Sequence, residues 1–333
     1  MFKQSKIVSA LAVVGVALFG AQAVQAQVIK IDGSSTVYPI TEAVAEEFQK
    51  AKKNAIKVTV GISGTGGGFK KFCRDELDIS DASRPITEKE MVDCKAAGVE
   101  YIEMPVAFDA LTVVVNPKNT FLKQATIEEM KTLWEPAAQG KIMKWNQVNP
   151  AWPDAPVKLF GAGADSGTFE YFTEAMVGKP KSSRGDYTAS EDDNVLVQGV
   201  SRDVNAIGYF GYAYYAENKA KLKALPIVNP KTGKAVEPSA ANVENGTYAP
   251  LSRPIFIYVK AKSLEKPEVK EFVEFYMKNG AQLTKEVKYV PLPVSAYIGN
   301  VEHMNKKKVG TVFGGHNEIG ITIDEVMKRE AKN

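Results

Sequence analysis

Histidine and cysteine are scarce in this sequence. The 333 residues include two of each, and both histidines, His303 and His316, lie within the last 31 residues. A zinc site or a serine–histidine hydrolase needs a histidine beside its other functional residues. The glycine-rich and hydroxyl-rich loops of the chain contain none. We therefore expect no metal site and no catalytic residues.

Complete nucleotide-binding and nucleophile motifs are also missing. Gly61 and Gly66 have the spacing of a Walker motif, but Gly67 stands where that motif needs lysine. The run G-T-G-G-G at residues 64–68 does not complete the G-x-G-x-x-G pattern of dinucleotide sites. G-I-S-G-T at residues 61–65 lacks the last glycine of a nucleophile elbow. The sequence therefore predicts a protein without a cofactor that is not an enzyme.

Neither sign of charge dominates, and long apolar runs are confined to the start of the chain. Lysine and arginine number 42 against 39 aspartates and glutamates, and such a balance argues against a nucleic-acid partner. Lys3 and Lys6 precede an apolar run at 7–20 and small residues that end at Ala26. This pattern is typical of a cleaved secretory signal peptide, here residues 1–26. We expect the mature chain to be exported and soluble.

The two cysteines, Cys73 and Cys94, would then lie in an oxidising compartment, where a disulfide bond is expected. Two buried free thiols are the alternative. Closing a loop of this length would remove about 3 kcal/mol of unfolded-state entropy.

Three strand–loop–helix units follow the signal segment and predict an α/β chain. Each unit runs from a β-branched strand, through a loop of hydroxyl and glycine residues, into an amphipathic segment. The predicted strands cover 28–33, 55–62 and 157–161, and the predicted helices begin at Thr41, Phe69 and Phe169. Units of this kind place binding sites at the carboxyl ends of the strands.

Two further β-branched runs, 110–117 and 254–261, predict long strands that cross between two lobes. The segment between them is long enough to form a lobe of its own. We expect lobe I to comprise 27–112 plus 255–333, and an inserted lobe II to comprise 113–254. One continuous sheet is the alternative that these residues leave open.

The three loops also favour an anion as the ligand. Helix N-termini offer unpaired N–H groups and positive dipole ends, and hydroxyls add neutral donors. A single loop of this type is explained by ordinary helix capping, but three that follow strands indicate a common ligand. The residues concerned are Ser34, Ser35 and Thr36 in the first loop, Ser63 and Thr65 in the second, and Ser166, Gly167 and Thr168 in the third.

The motifs G-S-S-T-V-Y-P, S-G-T-G-G-G-F-K-K-F, D-I-S-D-A-S-R-P-I and D-S-G-T-F-E-Y-F, in this order, resemble a known family. It is the extracytoplasmic phosphate-binding protein of the high-affinity phosphate ABC transporter. R-G-D-Y-T-A-S-E-D-D-N at 184–194 is similar to the branch found in cyanobacteria and some marine bacteria. The resemblance covers essentially the whole mature chain.

This resemblance implies a two-lobed type II periplasmic binding fold that closes on inorganic phosphate in the cleft between the lobes. It also implies a periplasmic monomer that delivers phosphate to an ABC permease in the inner membrane. Binding of another tetrahedral oxyanion, such as sulfate, arsenate or molybdate, is the alternative. A secreted phosphatase or esterase is a weaker one.

Carried over by position, the resemblance gives Ser35 and Thr36 in the first loop as phosphate ligands, with Ser34 possible. In the second loop it gives Ser63, with Thr65 as a rival. In the third it gives Ser166, Gly167 and Thr168. Two positions depart from the family pattern. Ser83 stands where the best-known members carry an aspartate that accepts the phosphate proton, and small residues stand where they carry an arginine before the third loop. We expect Arg84 to supply the missing charge through a bidentate grip on phosphate.

The proton acceptor stays open among Ser83, Asp165 and Asp81. Arg184 is either a further ligand or the anchor of a charged loop. The run at 192–194 is expected to cap a helix.

Overall fold

The computed structural model describes residues 27–318 and 320–332. The predicted signal peptide, 1–26, lies outside these residues. The strands are β1 (Gln27–Gly33), β2 (Ile56–Ile62), β3 (Ile79–Ala82), β4 (Tyr101–Val115), β5 (Lys158–Ala162), β6 (Thr188–Ser190), β7 (Ala206–Gly211), β8 (Lys223–Ala224), β9 (Ile227–Val228), β10 (Ala235–Val236), β11 (Ser252–Lys260) and β12 (Val290–Pro291).

The α-helices are α1 (Tyr38–Ala51), α2 (Thr65–Phe72), α3 (Glu88–Ala96), α4 (Ile127–Trp134), α5 (Gly167–Val177), α6 (Asp193–Arg202), α7 (Tyr212–Glu217), α8 (Ala240–Glu244), α9 (Pro267–Glu286), α10 (Val294–Asn305) and α11 (Ile323–Glu330). Short 3₁₀ helices cover Pro136–Ala138, Trp145–Gln147 and Ala261–Glu265. In the part of the chain that the structure covers, none of the helices is both long and apolar enough to cross a membrane.

The three predicted strand–loop–helix units are confirmed, but each helix begins earlier than predicted. α1 begins at Tyr38 with a proline in its first turn, a position that proline favours. α2 begins at Thr65, because the glycines that follow belong to its first turns. A Cβ on Gly68 would lie 2.7 Å from the Cα of Gly33, so this glycine lets α2 pack closely against β1.

The long strand β4 joins two halves of the sheet, whose order is β2-β1-β3-β11-β4-β7-β5-β6. Residues 101–110 of β4 pair antiparallel with β11, and residues 111–115 pair antiparallel with β7. All fifteen residues of β4 are buried. We call the half with β1, β2, β3, β11 and the first part of β4 the first lobe, and the half with β5, β6 and β7 the second lobe.

The predicted crossing strands therefore differ from each other. β4 changes partners at 110/111 and does cross, whereas β11 pairs with the first lobe along its whole length. Hydrogen bonding is continuous along the path, so the alternative of one connected sheet also holds in part. The exact lobe boundaries stay predictions.

Parallel pairing brings the predicted loops to one edge of each half-sheet. β1 pairs parallel with β2 and β3 in the first lobe, and β5 pairs parallel with β6 and β7 in the second. The carboxyl ends of these strands face the boundary between the lobes, where ligands bind in open α/β sheets. The sequence thus folds so that the three loops meet.

The disulfide bond between Cys73 and Cys94 is present, with an S–S distance of 2.01 Å. It joins the end of α2 to α3 within the first lobe, which confirms the prediction.

Candidate functional site

Two threonine side chains meet across the lobe boundary. Thr36, in the loop after β1, and Thr168, in the first turn of α5, lie with their Oγ1 atoms 3.1 Å apart. Both residues are at most 1% exposed. The first and third predicted loops therefore come together in a place from which solvent is excluded.

A second hydroxyl pair lies beside the first. The Oγ1 of Thr65 lies 3.1 Å from the Oγ of Ser83, and the backbone N–H of Ser83 donates to Thr65. Gly167, in the other lobe, packs against both: its Cβ, if present, would lie 2.6 Å from the Ser83 hydroxyl and 2.8 Å from the Thr65 hydroxyl. A larger residue here would have to displace these hydroxyls when the lobes are together. Thr65 thus lies with the other hydroxyls.

Short side-chain caps fix the loop conformations. The Ser166 hydroxyl accepts a hydrogen bond from the N–H of Thr168 at 3.1 Å, and the Ser34 hydroxyl accepts one from the N–H of Thr36 at 3.2 Å. The structure thus also places Ser34 and Ser166 at this edge, both buried. Capping of this kind orders the first residues of each loop–helix junction.

Two buried tyrosines hold the carbonyl groups of the first loop. Tyr289 donates to the carbonyl of Thr36 at 2.6 Å, and Tyr214, from the second lobe, donates to the carbonyl of Ser35 at 3.1 Å. A free carbonyl oxygen would repel an anion. Because both carbonyls are engaged, the loop is more favourable to negative charge.

Arg253, on β11, is a site residue that sequence reasoning missed. It is 1% exposed. Its Nη2 lies 2.7 Å from the Thr168 hydroxyl and 3.4 Å from the Thr36 hydroxyl, and its Nη1 donates to the carbonyl of Gly167 at 2.9 Å. A fully buried cation therefore lies directly behind the threonine pair.

The counter-charge of Arg253 is Asp109, on β4. The Nη2–Oδ2 distance is 3.3 Å. Burial raises the pKa of Asp109, Arg253 opposes that rise, and the pKa is about 6. Backbone hydrogen bonds from Tyr212 and Ala110 to the Asp109 carboxylate also oppose the rise. Within the described residues, the Nε of Arg253 has no hydrogen-bond partner. Buried polar atoms without partners are uncommon and often mark a functional site.

A third buried acid, Asp193, lies near this pair at the start of α6. Burial, with a smaller contribution from the charge of Asp109, raises the pKa of Asp193 to about 7, although a backbone hydrogen bond from Gly211 opposes the rise. The site therefore combines one buried arginine with two carboxyl groups whose pKa values are raised.

The sequence does contain a signal for this pair. Arg253 immediately precedes the apolar run P-I-F-I-Y-V, and Asp109 interrupts V-A-F-D-A-L-T-V-V-V. A charge within a buried strand is rarely tolerated without a partner. Pairing these two charged positions would have identified Arg253 and Asp109 as partners.

The side chain of Arg84, expected to bind phosphate, lies against two glutamates. Its Nη1 and Nη2 each lie 2.8 Å from a carboxylate oxygen of Glu90, and its Nη1 also donates to the carbonyl of Pro85 at 3.0 Å. Its Nε lies against the carboxylate of Glu170. The guanidinium is therefore neutralised by two glutamates, and phosphate binding by Arg84 stays a prediction.

Three other candidates also have different neighbours from those expected. The Ser63 hydroxyl donates to Asp32, and Asp165 forms a partly exposed ion pair with Lys70 at 2.8 Å. Asp81 is fully buried and accepts from the Thr41 hydroxyl at 3.1 Å. The structure does not bring these side chains into contact with the threonine pair.

Arg184 makes the contacts expected of a loop anchor. Its guanidinium binds Asp186 at 2.6 Å and 2.8 Å and donates to the carbonyls of Leu133 and Ile142. All of its partners lie in the second lobe, away from the site. The predicted cap at 192–194 is confirmed, since Asp192 accepts from the N–H of Asn194 at 2.9 Å.

Comparison with known proteins agrees with this architecture. Residues 20–279 match the family model of a PBP superfamily domain. Protein SphX of Synechococcus elongatus is 51% identical over 333 residues, which cover 99% of this chain and 98% of SphX. Phosphate-binding protein PstS of Staphylococcus saprophyticus is 38% identical over 272 residues, which cover 81% of this chain and 82% of PstS.

Solved structures give the same result. A possible phosphate binding protein from Planctomyces limnophilus is 52% identical, with a TM-score of 0.62 over 84% of this chain and 98% of that one. An ABC-type phosphate transport receptor from Vibrio cholerae, 23% identical, shares the fold with a TM-score of 0.59 over 80% of this chain. The chain therefore belongs to the PBP superfamily, and within it to the family of binding proteins that includes SphX and PstS.

Proposed function

We propose that this protein captures inorganic phosphate outside the cytoplasmic membrane and delivers it to the permease of an ABC transporter. The names of the PstS relative and of the Planctomyces limnophilus protein, both described as phosphate-binding, support phosphate as the ligand, and the two-lobed fold supports capture by closure. The protein acts by binding and not by catalysis.

The observation that carries this proposal is the buried Arg253 beside hydroxyls from both lobes. Thr36, Thr65, Ser83 and Thr168 would donate hydroxyl groups to the phosphate oxygens, and the first N–H groups of α5 would add backbone donors. Arg253 would supply the one positive charge, in place of the arginine that the family carries before its third loop. This assignment replaces Arg84 with Arg253.

Selectivity for phosphate over sulfate would then depend on Asp109. Phosphate at neutral pH carries a proton that can be donated to a carboxylate, whereas sulfate presents only bare oxygens. The Asp109 carboxylate, buried beside Arg253, would be the acceptor. Asp165, paired with Lys70 at the surface, is not needed for this step.

Export through a cleaved signal at 1–26, a monomeric state and docking of the closed form on the permease complete the proposal. The export pattern in the sequence supports the first of these.

Titration calorimetry on the mature protein, unfolded and refolded to remove bound anion, tests the ligand. We expect binding of inorganic phosphate that a large excess of sulfate does not change. The variants T36V and T168V should each weaken phosphate binding about tenfold, since each removes one hydrogen bond of about 1.4 kcal/mol. T188V, at an exposed position on β6, is the matched control and should bind as the wild type does.

Heat of binding with sulfate, arsenate or molybdate but none with phosphate would contradict the proposal and favour the corresponding oxyanion. Delivery to a permease is tested separately: a strain that lacks this protein should grow poorly at limiting phosphate and recover with the wild-type chain but not with the double variant T36V/T168V.

A further inference from the structure

Four charged side chains form a chain across the lobe boundary next to the site. Glu90 binds Arg84 at 2.8 Å, Arg84 contacts Glu170, and Glu170 binds Lys181 at 2.7 Å. The two central side chains are buried, with exposures of 3% for Arg84 and 8% for Glu170. Their contact is therefore shielded from solvent and salt.

Among these four side chains, only the contact between Arg84 and Glu170 crosses between the lobes. Arg84 follows β3 and Glu90 lies in α3, so both belong to the first lobe. Glu170 lies in α5 and Lys181 follows it, so both belong to the second. Opening the cleft must separate Arg84 from Glu170 and leave the two outer pairs intact.

This arrangement makes the central contact reversible. Breaking a buried ion pair is costly when it leaves one charge without a partner. Here Arg84 keeps Glu90 and Glu170 keeps Lys181, so neither charge is left alone when the lobes part. Closure then adds one buried ion pair, between Arg84 and Glu170. Neither side chain is left without a partner of opposite charge in the open or the closed form.

The contact between Arg84 and Glu170 lies next to the anion site, because both side chains pack at the start of α5. Glu170 lies in the first turn of α5, three residues after Gly167. A Cβ on Gly167 would lie 3.2 Å from the Cγ of Arg84, so the aliphatic part of Arg84 packs on the start of α5. The guanidinium carbon of Arg84 lies 5.7 Å from the centre of the Phe69 ring, which also belongs to the first lobe. Arg84 can therefore contact Glu170 only when the start of α5 packs against Ser83.

We infer that Arg84 and Glu170 form an ion-pair latch that holds the lobes closed and slows ligand release without touching the ligand. The inference rests on the proposed function for the identity of the ligand. Both are positioning residues, because they act on the ligand through the closed arrangement.

Removal of Glu170 distinguishes a latch from a simple charge effect. A carboxylate near an anion repels it, so a charge effect alone predicts that E170Q binds phosphate more tightly. A latch predicts the opposite: release should become faster, on the order of tenfold, which corresponds to about 1.4 kcal/mol.

The first experiment measures the release rate of inorganic phosphate by stopped flow. E170Q and R84M should each release faster than the wild type, and the double variant should be no faster than the faster single variant, since the two act through one contact. D93N is the matched control, because Asp93 pairs with Lys89 within α3 and is exposed. If R84M does not fold, E170D is the second variant and should lie between E170Q and the wild type.

The second experiment needs no ligand. Spin labels on E46C, in α1, and Q198C, in α6, report the distance between the lobes in the full mature chain. We expect a smaller closed fraction in E170Q than in D93N. Equal closed fractions together with equal release rates, or slower release from E170Q, would overturn the latch. If the wild type binds no phosphate, the proposed function fails while the interlobe distance still decides the latch.

Discussion

Arg253 and Asp109 lie opposite each other on neighbouring antiparallel strands, β11 and β4, and are directly paired in the strand register. Both are at most 1% exposed. β4 is the strand that connects the two lobes, and the pair lies one residue before its change of partners. The charge pair is therefore built into the strand that links the lobes, not into a loop.

Replacing Arg253 with methionine should weaken phosphate binding by 10- to 100-fold, because a charged hydrogen bond contributes about 1.5–3 kcal/mol. R253M should also lower the free energy of unfolding by about 3–5 kcal/mol, since Asp109 would stay buried without its partner. Calorimetry and urea denaturation measure the two effects.

The double variant R253M/D109N separates these effects. Removing the stranded carboxylate should restore much of the stability, while phosphate binding stays weak. If phosphate binding recovered with stability, Arg253 would be a structural residue only.

Much of the fold follows from local sequence pattern. The three strand–loop–helix units and the cap at Asp192 depend on residues close together in the chain, and all are present. The helix starts were less predictable. Thr65 to Gly68 look like a flexible loop in sequence, yet they are helical, and the missing side chain of Gly68 lets α2 pack on β1.

The site was predictable only in its hydroxyl part. Thr36, Thr65 and Thr168 occupy loops that parallel strands must bring together. The candidate arginine was not predictable, because the contacts of each arginine depend on residues far away in sequence. Arg84 forms ion pairs with Glu90 and Glu170. Arg253 lies beside the hydroxyls because β11 pairs with β4. Residue type alone does not distinguish the two arginines.

Substitution of Gly167 by alanine should weaken phosphate binding at least tenfold. The new methyl group would lie within 3 Å of two hydroxyls that belong to the opposite lobe, so the clash exists only when the lobes are closed. The melting temperature of the ligand-free protein should change little, because alanine is a good residue for a helix. Calorimetry and thermal melting check both expectations.

Gly299, in α10, is the matched control. A Cβ there would have no atom within 4 Å, so G299A should bind phosphate as the wild type does. Unchanged binding by G167A would show that the lobes bind phosphate with a wider gap than in this structure.

Removing the disulfide should affect stability and spare ligand binding. The double variant C73A/C94A should lower the free energy of unfolding by about 3 kcal/mol, mainly by releasing a constraint on the unfolded chain. Phosphate binding should stay within twofold, since both cysteines lie in the first lobe. Urea denaturation measures the first effect and calorimetry the second; a large loss of binding would link the α2–α3 junction to the site.

Glu330, in α11, has a buried carboxyl group with few hydrogen-bond or charge partners. It is 8% exposed, and within the described residues its Oε1 has no hydrogen-bond partner. The Nδ1 of His303 lies 3.5 Å from its Oε2. Burial, reinforced by the charge of Glu103 and opposed by Lys308, raises the pKa of Glu330 to about 8.

Stability should therefore fall as pH rises. A carboxyl group whose pKa is higher in the folded than in the unfolded protein favours folding while it is protonated, and this contribution is lost as pH rises from about 4.5 through about 8. The loss is about 1.4 kcal/mol for each unit of pKa difference. E330Q should show a flatter pH profile of unfolding free energy in urea titrations at pH 5, 7 and 9, whereas E265Q, at an exposed position, should follow the wild type. Parallel profiles for E330Q and the wild type would mean that the carboxylate of Glu330 reaches water in the folded protein.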